Sequence, residues 1–186
     1  LIEKGITIVA AAGNDENGTI KPPANSPNVI TVGGLDDNNL LKEQKRLYHS
    51  TYGKTTDGLM KPELVAPAIW IAAPILPGTA EQKEAALLHA LLQTTGDQLT
   101  RELANAMPFI RLDAPVLNSN DTTTIHEAII HRIHSCKYIS PHYMHVDGTS
   151  FAAPIISSVI AQMLEADPDL TPSRIRDLLF SSSKRI

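Results

Sequence analysis

Two short segments carry the side chains best suited to chemistry. In "HVDGTSFAAP", residues 145–154, Ser150 follows Gly148-Thr149 and precedes small residues closed by Pro154, at the start of an apolar helical pattern. A hydroxyl there could act as a nucleophile. The small Gly148, Ala152 and Ala153 let a substrate or a second backbone approach, and a helix start aims free N–H groups and a positive dipole end at whatever lies before it. The competing reading is that Thr149 or Ser150 merely caps the helix, the commoner reason for a hydroxyl at such a place. The second segment is "AAAGN", residues 10–14. It puts the Asn14 amide just past a buried strand, at the edge where open α/β sheets bind ligands, and its NH2 can donate to a developing oxyanion. A simple Gly13-Asn14 turn would also account for it.

The elements around these segments follow from periodicity. "ITIVAAA" (6–12) and "NVITVGG" (28–34) read as strands covered on both faces in a parallel sheet. The Pro- and Asn-rich loop between them is long enough to suggest a function. "KPELVAP" leads into a short apolar stretch ending near Pro74. Residues 75–142 differ in character. Thr79 with Gln82, and Thr124 with Glu127, are spaced as capping boxes; Leu87, Leu88, Leu91 and Leu92 stripe one helix, and Ile125, Ile129 and Ile133 the other. A mostly apolar helix over 150–165 and a second from about Pro172 to Ser182 close the chain. Thr171 is placed as the N-cap of the latter, and Leu170 with Ile175 as its hydrophobic staple.

The 186 residues, 42% hydrophobic and 19% charged, suit one sizeable core. A net charge of -4 and a pI near 6.0 leave no basic footprint for nucleic acid or an anionic membrane surface. Cys136 is the single cysteine, so no intrachain disulfide forms. No uninterrupted apolar run reaches the ~18–20 residues of a membrane span. "LIEKG" reads as the last turn of a helix with Gly5 in the left-handed position after it, as though the chain begins inside a domain.

Taken together and in this order, "GITIVAAAGN", "SPNVITVGG", "STYG", "KPELVAP" and "GTSFAAP" resemble the C-terminal half of the subtilisin-like serine peptidases, the subtilases. The resemblance covers residues 1–74 and 144–186. It implies an α/β, three-layer fold with a parallel central sheet flanked by helices: one partial catalytic domain over 1–186, interrupted by a helical insertion at about 75–142. It implies that Ser150 is the catalytic serine of an endopeptidase, that Asn14 supplies the oxyanion amide beside the Ser150 N–H, and that Ala11, Ala12 and Gly13 wall the primary substrate pocket. The partner is then a peptide or protein substrate, no cofactor is evident, calcium is admitted by the family alone, and the location is left unknown, a secreted or cell-envelope one being compatible with the family resemblance only.

The chain departs from the family pattern in several places. The family's Asp and His segments precede its serine and are absent here, so both are expected upstream of Leu1. A serine hydroxyl needs such an imidazole and carboxylate to lose its proton. Ala68, Ile155 and Ser158 stand where Gly, His and Gly are usual. Ala152 replaces the second glycine of a G-x-S-x-G elbow, against an α/β-hydrolase. His131 and His134, near Cys136, are one helical turn apart but lack an evident third ligand, and they fit a solvated face better than a metal site. His142 and His145 are not expected to replace the missing base. Two other classes of function stay open: a non-catalytic subtilase fold that binds partners through the insertion, and an unrelated α/β ligand-binding domain or hydrolase, in which Asn14 and Ser150 would lie far apart.

Overall fold

The computed structural model describes residues 1–37, 46–113, 116 and 121–184. It contains two compact units, one formed by Leu1–Ile71 with Asp147–Ile186 and the other by Ala72–Val146.

In the first unit, a 3-10 turn (Ile2–Lys4) ends at Gly5, which takes the left-handed conformation. The chain then enters β1 (Val9–Ala11) and, after the Pro-rich loop, β2 (Ile30–Asp36). β2 is the centre of the sheet. It pairs in parallel with β1, Val9 opposite Ile30, and with β6 (Leu64–Pro67), Val32 opposite Leu64; the short β3 (Arg46–Leu47) adds an antiparallel edge. Its side chains are buried along Ile30–Leu35, as the unbroken apolar run requires. A two-stranded ribbon of β4 (Gly53–Lys54) and β5 (Met60–Lys61) precedes β6.

Two C-terminal helices, α4 (Thr149–Ala166) and α5 (Pro172–Ser182), complete this unit, and they share a core with the sheet through Ile30, Val32, Ala152, Ile160, Ile175 and Leu179. Thr171 caps α5, accepting from the Arg174 N–H, and Leu170 packs on the core that holds Ile175. By length and composition alone α4 passes for a membrane-crossing helix, a test that core helices also pass, but as expected it holds no uninterrupted apolar run of that length. Ser157, Ser158 and Gln162 interrupt its apolar residues, so no single run betrays its length. A buried ion network ties α5 to the sheet: Lys61, 2% exposed, donates to Glu63 at 2.6 Å and to the Val29 carbonyl at 2.7 Å. Glu63 also accepts from Arg176 and from the Thr31 N–H. Each charge is therefore paired, as burial demands.

The second unit carries a three-stranded sheet in the order β7 (Ile71–Pro74), β9 (Tyr143–Val146), β8 (Tyr138–Ser140) and the helices α1 (Ala80–Leu91), α2 (Gly96–Ala106) and α3 (Thr122–Ser135). Its core gathers Leu88, Leu91, Leu99, Leu103, Ile125 and Ile129. Thr79 caps α1, accepting from the Gln82 N–H, as its spacing predicts. Thr124 is not the cap of α3. Asp121 holds that place and accepts from the N–H groups of Thr123 and Thr124, while the Thr124 hydroxyl donates to it at 2.6 Å. An ionised carboxylate outcompetes a hydroxyl for donors at the positive end of a helix.

Glu84, 7% exposed, accepts from Arg132 Nε and Nη2, the Arg111 N–H and the Tyr138 hydroxyl. Burial alone would raise its carboxyl, but these donors, Arg132 foremost, hold it below the usual carboxylate range.

His89 has no such compensation. Its Nε2 is buried with no hydrogen-bond partner among the described residues, and burial lowers its affinity for a proton. The unfolded chain takes up that proton as pH falls below about 6.5, while the folded state resists it. Stability is therefore complete above that value and lost progressively below it. The urea midpoint of the full chain is expected to fall between pH 7.5 and 5, with a shallower fall in His89→Leu; an unchanged slope would contradict this role.

Candidate active site

Asn14 and the start of α4, 135 residues apart in sequence, meet in the first unit. The Thr149 N–H donates to Asn14 Oδ1 at 2.9 Å, and the Thr149 hydroxyl donates to the same oxygen at 3.0 Å. That hydroxyl in turn accepts from the Gly13 N–H at 3.2 Å. Because a backbone N–H can only donate, the atom facing it must be the amide oxygen, which fixes the amide's orientation and turns its NH2 away from Thr149. An α/β domain with these segments far apart is thereby excluded.

The geometry also disposes of the capping alternative. Gly148, not Thr149 or Ser150, is the N-cap of α4, and it contributes no side-chain bond. Asn14 performs the capping from a distant loop by accepting from the first helical N–H. Thr149 and Ser150 occupy the first and second helical positions, where N–H groups lack acceptors within the helix. Thr149 is fully buried, whereas Ser150 is exposed. Pro154 lacks the N–H that would bond the Ser150 carbonyl in a regular helix.

Glycine is required on both sides of the Asn14 amide. Gly148 has φ 139°, and a Cβ there would come within 3.3 Å of Asn14 Nδ2. Gly13 has φ 110°, and a Cβ there would lie 2.8 Å from the Thr51 hydroxyl oxygen. Thr51 is a residue that sequence reasoning missed. Its N–H donates to the Gly13 carbonyl at 2.9 Å and its hydroxyl accepts from the Asp15 N–H at 3.3 Å, so the Asn14 turn is clamped between Thr51 and Thr149. Nothing in the "STYG" spacing announces this; the contact exists only through the fold.

The serine-bearing segment is held on its other flank as well. The Gly148 N–H donates to the Ala68 carbonyl at 2.7 Å, and the Trp70 N–H to Asp147 Oδ1 at 2.9 Å. Ala68 is fully buried and, unlike Trp70 with φ 56°, has no left-handed backbone, so a Cβ in place of the usual glycine is accommodated. Ser158, by contrast, is exposed and mediates no close packing among the described residues.

Ala11, Ala12, Gly13, Asn14 and Thr51 line a cavity of about 260 Å³. A larger cavity of about 710 Å³ in the same unit lies around Tyr48, Lys61 and Phe180, and another of about 700 Å³ surrounds Glu84 and Arg132 in the second unit. The small one alone adjoins the Asn14 amide, so it is the one relevant to chemistry there. Among the described residues no group of three or more His, Cys, Asp or Glu could hold a metal ion; His131 and His134 are both exposed.

An outward-turned amide NH2 beside a helix start can donate to an anionic oxygen, and the exposed hydroxyl at that helix start can attack the atom bearing it. The arrangement depends on Thr149. Thr149→Val is expected to leave the Gly13 N–H without its acceptor and to lower stability by about 1–3 kcal/mol in urea titration, with Thr149→Ser restoring most of it; equal stability of Val and wild type would contradict the clamp.

A family model described as the subtilase family matches residues 2–185. Serine protease AprX of Bacillus subtilis (strain 168) is 27% identical over 179 residues, which cover 94% of this chain and 29% of that protein. Among solved structures, fervidolysin from Fervidobacterium pennivorans, described as a keratinolytic enzyme related to subtilisin, matches 98% of this chain and 20% of its own at 21% identity and a TM-score of 0.55, a likeness of fold. The chain thus spans less than a third of either relative.

Proposed function

Because this chain belongs to the subtilase family, we propose that it carries the nucleophile and oxyanion half of a serine endopeptidase site. In this reading Ser150 Oγ attacks the scissile carbonyl carbon, and its proton passes to an imidazole and from there to the departing amine. Water then hydrolyses the resulting acyl-enzyme by the same relay in reverse. The Asn14 NH2 and the Ser150 N–H donate to the oxyanion at each tetrahedral stage, and Ala11, Ala12 and Gly13 form one wall of the substrate pocket. The imidazole and its orienting carboxylate come from residues outside this chain. The unit around 75–142 is an insertion in the catalytic domain. The observation that carries the reading is the Thr149–Asn14 pair of hydrogen bonds, which brings an amide donor to the helix start that bears an exposed serine.

The full-length protein mixed with a p-nitrophenyl ester is expected to release a burst of nitrophenol stoichiometric with enzyme, followed by slower turnover, and to cleave an unfolded protein substrate. A folded protein giving neither burst nor cleavage would instead assign the fold to a binding module.

A further inference from the structure

The cavity beside Asn14 constrains which peptides the site accepts. An acyl group whose carbonyl oxygen reaches the Asn14 amide carries its own side chain one carbon away, and the cavity that Asn14 lines is where that side chain goes. Its volume of about 260 Å³ exceeds the ~30 Å³ share of a water many times over. The walls at Ala11, Ala12 and Gly13 are small and uncharged, so the choice of occupant falls to the two charged residues on the lining, Asp15 and Lys21.

These two are not equivalent. Asp15 is folded over its own turn: Oδ1 accepts from the Asn17 N–H at 3.1 Å, the backbone carbonyl accepts from the Gly18 N–H at 3.0 Å, and Oδ2 lies 3.0 Å from where a Cβ on Gly18 would be. The Lys21 side chain has no hydrogen-bond or ion-pair partner among the described residues, while its backbone carbonyl accepts from the Asn25 N–H at 3.3 Å. Its backbone is nonetheless fixed, because Ile20 and Ala24 on either side are buried and the Thr31 hydroxyl donates to the Ala24 carbonyl at 2.6 Å. A cation whose side chain has no partner among the described residues thus borders the cavity on a fixed backbone, while the neighbouring carboxylate is drawn onto its own loop by the Asn17 N–H.

We propose that this pocket selects an acidic side chain, Glu or Asp, on the acyl side of the scissile bond, with Lys21 as the residue that determines the preference. The proposal rests on the serine peptidase reading for its substrate class, since the side chain enters with the acyl group bound at Asn14. A carboxylate in the pocket pairs with Lys21, and a cationic side chain meets like charge. For a pair this close to solvent the preference amounts to about fivefold.

Binding tests this without requiring catalysis. In the full-length protein carrying Ser150→Ala, short peptides ending in Glu, Gln, Leu or Lys are titrated by calorimetry, and wild-type kcat/KM is measured on substrates with the same four residues before the scissile bond. The Glu peptide is expected to bind about fivefold more tightly than the Gln peptide. Lys21→Gln should abolish that difference, and Lys21→Glu should place Lys ahead of Glu. Equal affinities for Glu and Gln, no binding by any of the four, or a ranking unmoved by both Lys21 variants would overturn the proposal. Correct ranking in the binding arm with no hydrolysis by wild type would count against the peptidase reading alone.

Discussion

Ser150→Ala is expected to lower turnover on a peptide substrate by about 10⁶-fold, the scale seen when a nucleophile that works as one unit with its base is removed. The substituted protein should fold as before. Ser150 is exposed and takes no part in capping α4, because Gly148 is the cap and Asn14 supplies the acceptor. A surface change of this kind shifts stability by within about 0.5 kcal/mol. Kinetics on full-length protein, with urea titration of the same samples, separates the two effects. A residual rate within tenfold of wild type would mean that the hydroxyl attacking the substrate is not that of Ser150.

Replacing Asn14 is expected to cost about 10² to 10³ in kcat with KM little changed, since the amide donates to an oxyanion that exists only at the tetrahedral stage. The residue has two jobs in this structure, and a single truncation would confound them. Asn14→Ala removes both the amide donor and the acceptor that Thr149 uses through its N–H and hydroxyl. Asn14→Asp keeps an acceptor oxygen facing Thr149 and replaces only the donating end, with a negative charge where a negative charge must develop. Its stability should stay near wild type while kcat falls at least as far as in Asn14→Ala. An Asp variant that retained kcat would show that the amide's role is to hold the turn, not to stabilise the transition state.

The contrast between Asn14 and Thr149 also marks what the sequence reveals. The strand at Ile30–Asp36, the cap at Thr79, the helix from Pro172 and the isoleucine stripe of α3 follow from local periodicity and local hydrogen bonding, and all are legible in the order of residues. α2 is not. Its buried apolar residues are Leu99, Leu103 and Ala106 on an otherwise polar segment, and its N-cap Thr95 makes no side-chain bond, so only packing in the second unit establishes it. Asn14 and Ser150 could be singled out because their types and neighbours suggest chemistry. Thr51 and the clamping role of Thr149 could not, because a hydroxyl becomes a clamp only when the fold brings a turn against it from 36 or 136 positions away. The charged lining of the small cavity belongs to the same class: Lys21 sits in an ordinary loop until the fold brings it to one rim with Ala11–Asn14 and Thr51.

The central claim is that Ser150 is an activated nucleophile in the intact protein. A fluorophosphonate reacts covalently with such a serine and not with an ordinary surface hydroxyl. The full-length protein, treated with the probe, digested and mapped by mass spectrometry, is predicted to carry one adduct, on Ser150 in the peptide containing "DGTSFAAP", with no adduct in the Ser150→Ala protein. Folded protein that remains unlabelled, or that carries the adduct on a different serine, would contradict the account.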